Sequence, residues 1–389
     1  MRILLFGPYP RPGQPITGGV MAVMVALARG LATQGLEVGV ASATARGDDG
    51  EDREDGITIY RRGIPPLPRA RGHRTIRRKL VAVAHDFRPT LIHAHGTGYY
   101  AAAALDGPWP VILTAHGVVY EEARRSQARG IKERLAWRYD TLLEKRVLTR
   151  ARHVIAINPY IRQAFAQYDH LQWVDIPNPV DEAFFQITRE PEPGLLFTPA
   201  RVIPRKGIDI LIRALAQVAE AHPHARLQIA GETTTSPGFV AHCRELAARA
   251  GISDRVQFLG NLDREALLAA YRRAWVMVLP SRQETAPVAI GEALAAGCPV
   301  IATQVGGVPW MVHHEQEGLL VPPEDVDALA AALARALSQE EVVRAWSQRA
   351  RLTAQPYRLA AVLDATLAAY RAVWAQSSPD RAVVEETVP

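Results

Sequence analysis

Two cations five positions apart form a candidate phosphate site. Arg201 and Lys206 flank a turn between a predicted strand and a predicted helix that begins near Gly207. The first backbone N–H groups of a helix lack partners within it, and its N-terminus carries about half a positive charge. Two cations at that position therefore suit a diphosphate. Taken alone, the two residues are also compatible with an ordinary surface pair.

A pair of acids brackets another predicted strand-to-helix turn. Glu284 precedes Pro287 and Glu292 follows it. The fixed φ of proline suits the first helical turn, which places Glu292 about a turn and a half into the helix. Carboxylates at such a turn can hold the hydroxyls of a sugar or of a ribose. Alternatively, Glu284 caps the helix and Glu292 is an exposed helix acid.

Strands alternate with helices along nearly the whole sequence, a pattern typical of parallel sheets wrapped by helices. The predicted strands are 2–6, 37–43, 57–61, 91–95, 110–115, 153–157, 173–176, 194–198, 226–230, 255–259, 275–279, 299–303 and 318–321. The predicted helices are 19–34, 207–221, 239–250, 263–272 and 287–296. Charge and proline content predict surface loops at 48–55 and 61–72. The fold class is therefore α/β, with two Rossmann-like, doubly wound domains.

The pattern is interrupted once, near the middle of the chain. Residues 181–193 are polar and contain two prolines near their end, which predicts a stiff linker. We therefore expect a first domain at 1–180 and a second at 194–356. A C-terminal helix at 357–375 is expected to pack back towards the first domain, followed by a frayed tail at 376–389.

The residues able to do chemistry follow strands in both halves. In doubly wound sheets, ligands bind outside the carboxyl ends of the strands. The candidates there are Gly18, Gly19, His95, His116, Arg201, Lys206, Gly231, Gly260, Ser281, Glu284, Gly306 and Gly307. We expect the two sheet edges to face each other across an interdomain cleft.

Composition excludes several classes of protein. The chain has 389 residues, of which 48% are hydrophobic and 22% charged, so it is neither disordered nor collagen-like. Its two cysteines, Cys243 and Cys298, match no metal-ligand spacing and fit a reducing compartment. We see no signal peptide and no stretch long enough to span a membrane. These observations predict a cytoplasmic protein.

The net charge of +5 is unevenly distributed. Eight cations and no acid lie between Arg61 and Lys79. Such a run is either a solvated face or a surface that contacts an anionic membrane reversibly. No nucleic-acid-binding module accompanies it, so we expect no nucleic-acid partner.

Several of these segments resemble glycosyltransferase family 4. The segment from Pro280 to Thr303 is similar to the signature of that family. Further similarity lies in 200–207, 176–181, 114–117 and Gly18-Gly19, in the family's order. The resemblance implies a retaining transferase with the two-domain GT-B fold, which uses a nucleotide-diphosphate sugar and no catalytic metal. It also implies an acceptor-side first domain and a nucleotide-sugar-binding second domain.

The resemblance implies roles for individual residues. Arg201 and Lys206 would neutralise the diphosphate, and Glu284 would hold hydroxyls of the transferred sugar. His116, which the pattern alone would place in the core, would contact the donor sugar near the reacting centre. The other residues expected to bind the co-substrate are Gly18, Gly19, Gly231, Gly260, Thr285, Ala286, Val288 and Glu292, the last on the ribose. His93 and His95 are expected to be structural.

Two departures from the family pattern affect the nucleotide contacts. Ala286-Pro287 replaces an aromatic-glycine step, and Pro287 has no N–H to donate. The segment after Gly231 reads Glu-Thr-Thr-Thr-Ser-Pro rather than a short Gly-x-Gly.

We expect transfer of a hexose from a UDP- or GDP-sugar to an acceptor hydroxyl, which a lipid can carry, in glycolipid, polysaccharide or glycoside synthesis. Two alternatives share the fold: a nucleotide-sugar epimerase and a non-catalytic sugar-nucleotide-binding protein. A dinucleotide fingerprint at 96–101 lies outside the first βαβ unit and is weak evidence for NAD. Asp325-Val326-Asp327 formally matches a metal motif, but it opens a predicted helix, where capping explains it better.

Overall fold

The computed structural model describes residues 1–14, 16, 18–44, 49–67, 69–125 and 130–377. They form two compact units. The first comprises residues 1–179 together with the chain from Leu359 onward, and the second comprises Val180–Arg358. Each is an α/β unit built on one sheet, which confirms the predicted fold class.

The first unit contains an eight-stranded sheet in the order β3-β4-β2-β1-β5-β6-β7-β8. Its strands are β1 (Arg2–Phe6), β2 (Glu37–Thr44), β3 (Gly50–Glu54), β4 (Ile57–Gly63), β5 (Leu91–His95), β6 (Val111–Ala115), β7 (His153–Ala156) and β8 (Gln172–Asp175). All neighbours are parallel except β3 and β4. The helices are α1 (Gly19–Thr33), α2 (Arg69–Phe87), α3 (Tyr99–Ala104), α4 (Val119–Arg125), α5 (Ile131–Arg150) and α6 (Pro159–Ala164).

The second unit contains a six-stranded parallel sheet in the order β11-β10-β9-β12-β13-β14. Its strands are β9 (Leu195–Pro199), β10 (Arg226–Ala230), β11 (Val256–Gly260), β12 (Val276–Leu279), β13 (Val300–Thr303) and β14 (Gly318–Val321). The helices are α7 (Glu182–Phe185), α8 (Ile208–Val218), α9 (Pro237–Arg249), α10 (Arg264–Arg273), α11 (Val288–Ala296), α12 (Val326–Ser338) and α13 (Glu340–Thr353). Because every strand is parallel, all carboxyl ends lie at one edge of the sheet.

The last described helix, α14 (Leu359–Ser377), returns to the first unit. The Tyr370 hydroxyl lies 2.7 Å from Nδ1 of His93 on β5. A Cβ added to Gly30 of α1 would lie 2.6 Å from Leu363 Cδ1, so α1 and α14 pack closely. The tail expected at 376–389 falls outside the described residues from 378 onward. Among the residues described, no helix combines the length and apolar character needed to cross a bilayer.

Three segments differ from their sequence-based interpretation. The loop expected at 48–55 contains β3, and the loop expected at 61–72 contains the end of β4 and the start of α2; positions 48 and 68 lie outside the described residues. β3 is highly charged because it is an edge strand that pairs only with β4. Residues 181–193, expected as a linker, lie in the second unit, where Arg189 donates to the carbonyl oxygen of Gly297 at 2.8 Å.

The basic run from Arg61 to Lys79 also differs from its expected character. Acids from elsewhere in the first unit pair with several of its cations: Arg61 with Asp52, Arg62 with Glu51, Arg69 with Asp140, Arg77 with Asp106 and Lys79 with Asp49. Arg61 is only 6% exposed and cannot contact a large partner. The run itself contains no acid, but the fold brings acids from other segments into contact with it.

Replacing Gly207 by Ala should destabilise the second unit by at least ~2 kcal/mol. Gly207 has φ 66°, and an added Cβ would lie 2.0 Å from the carbonyl oxygen of Pro280. Gly238 in α9 has no atom within 4 Å of an added Cβ and provides the matched control. Urea unfolding of both Gly→Ala variants measures the difference; equal midpoints would contradict the packing described here.

Candidate functional site

The turn after β9 brings three cations to the N-terminus of α8. Arg201 is exposed, whereas Arg205 and Lys206 are half-buried. Residues Pro204–Lys206 form a single 3₁₀ turn, and Gly207, in the left-handed conformation, is the N-cap of α8. No side chain caps that helix, so its first N–H groups remain available to an anion.

Glu284 lies at the centre of this cluster and is 5% exposed. Its Oε1 accepts hydrogen bonds from the ammonium group of Lys206 and, at 2.6 Å, from the hydroxyl of Ser281. Arg205 Nη1 lies 3.7 Å from Oε2 of the same carboxylate. The structure thus joins two residues, Lys206 and Glu284, that the sequence placed at separate turns.

Lys206 and Glu284 each shift the pKa of the other. Burial lowers the pKa of Lys206, and the negative charge of Glu284 offsets part of that effect. Burial alone would raise the pKa of Glu284, but the charges of Lys206 and Arg205 hold it below its ordinary value. The carboxylate is therefore ionised at neutral pH, and both of its oxygens can accept hydrogen bonds.

Sequence reasoning missed one residue of this cluster, Arg205, as a site member, whereas Ser281 was among the candidates that follow a strand. Arg205 donates to the carbonyl oxygen of Gln283 at 3.0 Å, which joins the turn before α8 to the segment after β12. Its position beside Lys206 was the available signal, because it makes a third cation in the same turn. Arg282 strengthens the same connection. Its guanidinium donates hydrogen bonds of 2.9 and 2.8 Å to the carboxylate of Asp209, and its backbone N–H donates to the carbonyl oxygen of Arg205.

Glu292 occupies a different environment from Glu284. It lies on α11, where the Tyr271 hydroxyl is 3.0 Å from its Oε2 and 3.0 Å from the carbonyl oxygen of Ala289. Burial raises the pKa of Glu292 to about 7. Pro287 is the N-cap rather than a residue of the first turn, so α11 begins one residue later than predicted.

The other predicted residues of the second unit lie between the two carboxylates in sequence or at the ends of β10 and β11. Thr285, Ala286 and Val288 are half-buried. A Cβ on Gly231 would lie 2.2 Å from the carbonyl oxygen of Ala200, so only glycine lets the end of β10 approach the Arg201 turn. Gly231 N–H donates to the Gly260 carbonyl at 2.8 Å. Gly307 N–H lies 3.4 Å from the Glu284 carbonyl oxygen.

In the first unit, a histidine cluster lies at the ends of β5 and β6. His95 Nδ1 is 2.8 Å from Nε2 of His116, and their rings stack with centroids 5.1 Å apart. His93 lies 2.6 Å from the Thr114 hydroxyl. Burial lowers the pKa of His93 to about 3 and that of His116 to about 4, and it lowers the pKa of His95 as well. All three side chains are therefore neutral at pH 7.

The remaining glycines begin a helix of the same unit. Gly18, with φ 93°, is the N-cap of α1, which starts at Gly19, and no side chain caps that helix. The N-terminus of α1 thus resembles that of α8, since both helices have a glycine N-cap and no capping side chain. Among the described residues, no three His, Cys, Asp or Glu side chains form a group able to hold a metal ion.

Two family models match the chain in adjoining segments. Residues 17–184 match the model described as Glycosyltransferase Family 4, and residues 179–353 match Glycosyl transferases group 1. The chain belongs to glycosyltransferase family 4. The resemblance seen in the sequence motifs is thereby confirmed.

Individual proteins are similar to this glycosyltransferase over different lengths. A D-inositol 3-phosphate glycosyltransferase of Saccharomonospora viridis is 35% identical over 176 residues, 44% of this chain and 41% of that protein. The chain spans less than half the length of the first curated relatives that it matches.

Solved structures support the fold. Sucrose-phosphate synthase from Thermosynechococcus elongatus has a TM-score of 0.80 and 26% identity, over 96% of this chain and 99% of that one. Anabaena HepE in complex with UDP-glucose has a TM-score of 0.75 and 19% identity, over 96% and 100% of the two chains. The glycosyltransferase therefore has the GT-B architecture.

The neutral histidines should make stability depend on pH. Because the folded pKa of His93 lies below the value of about 6.5 expected when unfolded, the unfolded chain takes up the proton first as pH falls. At pH 5 this costs about 2 kcal/mol of unfolding free energy relative to pH 8. Urea unfolding across this range should show a shallower pH dependence for His93→Gln than for wild type. His224→Gln, at an exposed position of the second unit, should keep the wild-type slope; equal slopes for both variants would contradict this account.

Proposed function

We propose that this glycosyltransferase moves a hexose from a UDP- or GDP-sugar to an acceptor hydroxyl with retention of configuration. The observation that carries the proposal is the buried Lys206–Glu284 pair at the open N-terminus of α8. Cations and free N–H groups suit a diphosphate, and an ionised carboxylate accepts strong hydrogen bonds from the hydroxyls of a sugar. This cluster supplies both where two turns of the second unit meet.

The cations would stabilise the leaving diphosphate. Lys206, Arg201 and the N–H groups of α8 carry positive charge that is fixed before the reaction. Such charge lowers the barrier most when it opposes charge that develops as the bond breaks. Arg205 is close enough to Glu284 to share this role, at 3.7 Å from its Oε2.

The pairing of Lys206 with Glu284 suggests how donor binding prepares the carboxylate. In the structure, Glu284 uses Oε1 to accept from Lys206 and Ser281. An arriving diphosphate competes for the ammonium group of Lys206, because it carries more negative charge than one carboxylate. Glu284 would then exchange Lys206 for hydroxyls of the transferred sugar.

The remaining assignments follow the family resemblance. We propose that Glu292 binds the ribose and that the backbone around Thr285, Ala286 and Val288 contacts the nucleotide. Gly231 and Gly260 belong to the same proposed subsite, and Gly18 and Gly19 would admit phosphate close to the backbone. His116 would contact the donor sugar as a neutral imidazole, since burial lowers its pKa to about 4.

The proposed step needs no protein nucleophile. The bond between the sugar C1 and the diphosphate oxygen breaks, and the acceptor oxygen bonds to C1 on the same face. The acceptor proton passes to an oxygen of the departing diphosphate. Anabaena HepE, which shares the fold, was solved with UDP-glucose, the kind of donor that we propose here.

Lys206→Ala and Glu284→Gln should fail in different ways. Lys206→Ala should lower kcat on the order of 10²–10³-fold and weaken binding of UDP or GDP roughly tenfold. Glu284→Gln should lower turnover of the nucleotide sugar but leave diphosphate affinity equal to or tighter than wild type, because it removes the competitor for Lys206. Calorimetry with UDP and GDP, alongside initial rates, makes the comparison.

The matched control is Arg213→Ala, which removes an exposed cation from the same helix, α8. It should leave both measurements unchanged. Wild-type diphosphate affinity in Lys206→Ala would mean that the phosphate site lies elsewhere. Much weaker affinity in Glu284→Gln would assign Glu284 to the nucleotide instead of the sugar.

Transfer should continue after chelation of metal ions. In the proposed site, Lys206, Arg201 and the α8 N-terminus do the work that a divalent cation does in other transferases. Rates measured in EDTA should match those measured with added magnesium or manganese. Loss of turnover in EDTA that either metal restores would refute metal independence.

A further inference from the structure

Helix α5 leaves three large apolar side chains in water. Ile131 is 78% exposed, and Leu135 and Leu142 are each 58% exposed. At about 100° per residue, the three lie within about 40° of one another around the helix axis. We call these three residues the α5 stripe. Single exposed leucines are common, but an aligned set on one helix marks an interaction surface.

Charge is distributed asymmetrically around the same helix. Arg138 and Lys145 lie on the side of the stripe, and both are exposed. The acids of α5 project from the opposite side, where Asp140 pairs with Arg69 and Glu144 is buried. Glu144 accepts from the Thr97 hydroxyl and from the N–H groups of Val119 and Tyr120, so its charge is already used inside the unit.

A basic groove adjoins the stripe. It lies between α2 and α5 and has a volume of about 610 Å³. Its walls carry four arginines and one acid: Arg74, Arg77, Arg78, Arg146 and Asp106, with Ala70, Val81 and Tyr139 completing them. Asp106 pairs with Arg77 and Arg150, whereas Arg74 and Arg78 are exposed with no acid in contact among the described residues. We call this the arginine groove.

We propose that the stripe and the groove together bind an anionic bilayer reversibly. Ile131, Leu135 and Leu142 enter the interfacial region, while the arginines of the groove bind phosphates of the lipid headgroups. Apolar and basic residues side by side on one helix surface suit this interface, which offers acyl chains and phosphates at adjacent depths. Of the basic residues on α2, Arg74 and Arg78 thus contact the lipid phosphates, while α5 supplies the apolar side chains.

The same observations disfavour other occupants. A second copy of this surface would bring like charges together across the groove, which costs association energy. A nucleic acid would satisfy the arginines but would leave the α5 stripe in water. An anionic bilayer satisfies both.

Vesicle co-sedimentation tests the proposal with the full chain. Vesicles containing about half phosphatidylglycerol should bind the protein at low salt, and vesicles of phosphatidylcholine alone should bind it at least tenfold less. At about 1 M salt, where the Debye length is about 3 Å, binding to the anionic vesicles should also fall at least tenfold. Negligible sedimentation at low salt would overturn the proposal.

Two triple variants separate the two components. Arg74→Gln, Arg78→Gln and Arg146→Gln together should lower binding at least tenfold and remove its salt dependence. Ile131→Gln, Leu135→Gln and Leu142→Gln together should lower binding on the order of tenfold while keeping the salt dependence. Glutamine keeps the helix propensity of the residues it replaces.

Matched controls use exposed positions of the second unit. Leu352, 63% exposed, is replaced by Gln for the apolar change, and Arg213, Arg249 and Arg272 are replaced by Gln for the charge change. These controls should bind vesicles like wild type. Loss of binding in the controls, or wild-type binding in the stripe variant, would refute the assigned surface. Calorimetry with UDP keeps this test separate from the proposed function, because all six substitutions should leave nucleotide affinity unchanged.

Discussion

A carboxylate that is almost fully buried must be paired, and Glu284 imposes that constraint on its surroundings. Leaving such a charge without a partner costs several kcal/mol, so Lys206 and Ser281 have to reach it. Reaching it requires the turn before α8 and the segment after β12 to lie against each other. Gly207 allows that approach, since any side chain there would meet the backbone of Pro280. The start of α8 is therefore positioned by electrostatics as much as by packing.

Arg282 extends the same constraint outward. Its guanidinium holds Asp209 on α8, and its N–H bonds the carbonyl oxygen of Arg205. Two segments about 78 residues apart in sequence thus share backbone and side-chain bonds at several points. A diphosphate that draws Lys206 away from Glu284 would leave these other bonds intact. The cluster can exchange one partner without losing the shape of the turn.

The sheets could be predicted from the sequence because parallel strands are buried on both faces and appear as short apolar runs. Every predicted strand is found within a few residues of its expected bounds. β3 could not be predicted in this way, since an edge strand with charged residues on both faces has no apolar signal. Helices α2 and α5 were missed because their exposed faces are dense with cations, which obscures the apolar period.

The sequence was enough to select residues of the candidate site, but it did not show which of them contact each other. Arg201, Lys206 and Glu284 could be selected because each lies between a strand and a helix at the carboxyl edge of the sheet, and Glu292 because it lies in the helix after Glu284. The bond between Lys206 and Glu284 depends on how two turns approach in space, and no periodicity encodes that distance. The neutral state of His116 likewise depends on burial by residues distant in sequence.

The return of α14 to the first unit means that this unit is discontinuous in the chain. During synthesis, residues 1–179 leave the ribosome long before Leu359, whereas Val180–Arg358 emerges as one uninterrupted piece. Until α14 arrives, the face of α1 around Gly30 lacks the side chain of Leu363, and His93 lacks the hydroxyl of Tyr370. The unit that is translated first is thus the one completed last, and a nascent chain carries an uncovered apolar helix face throughout translation of the second unit.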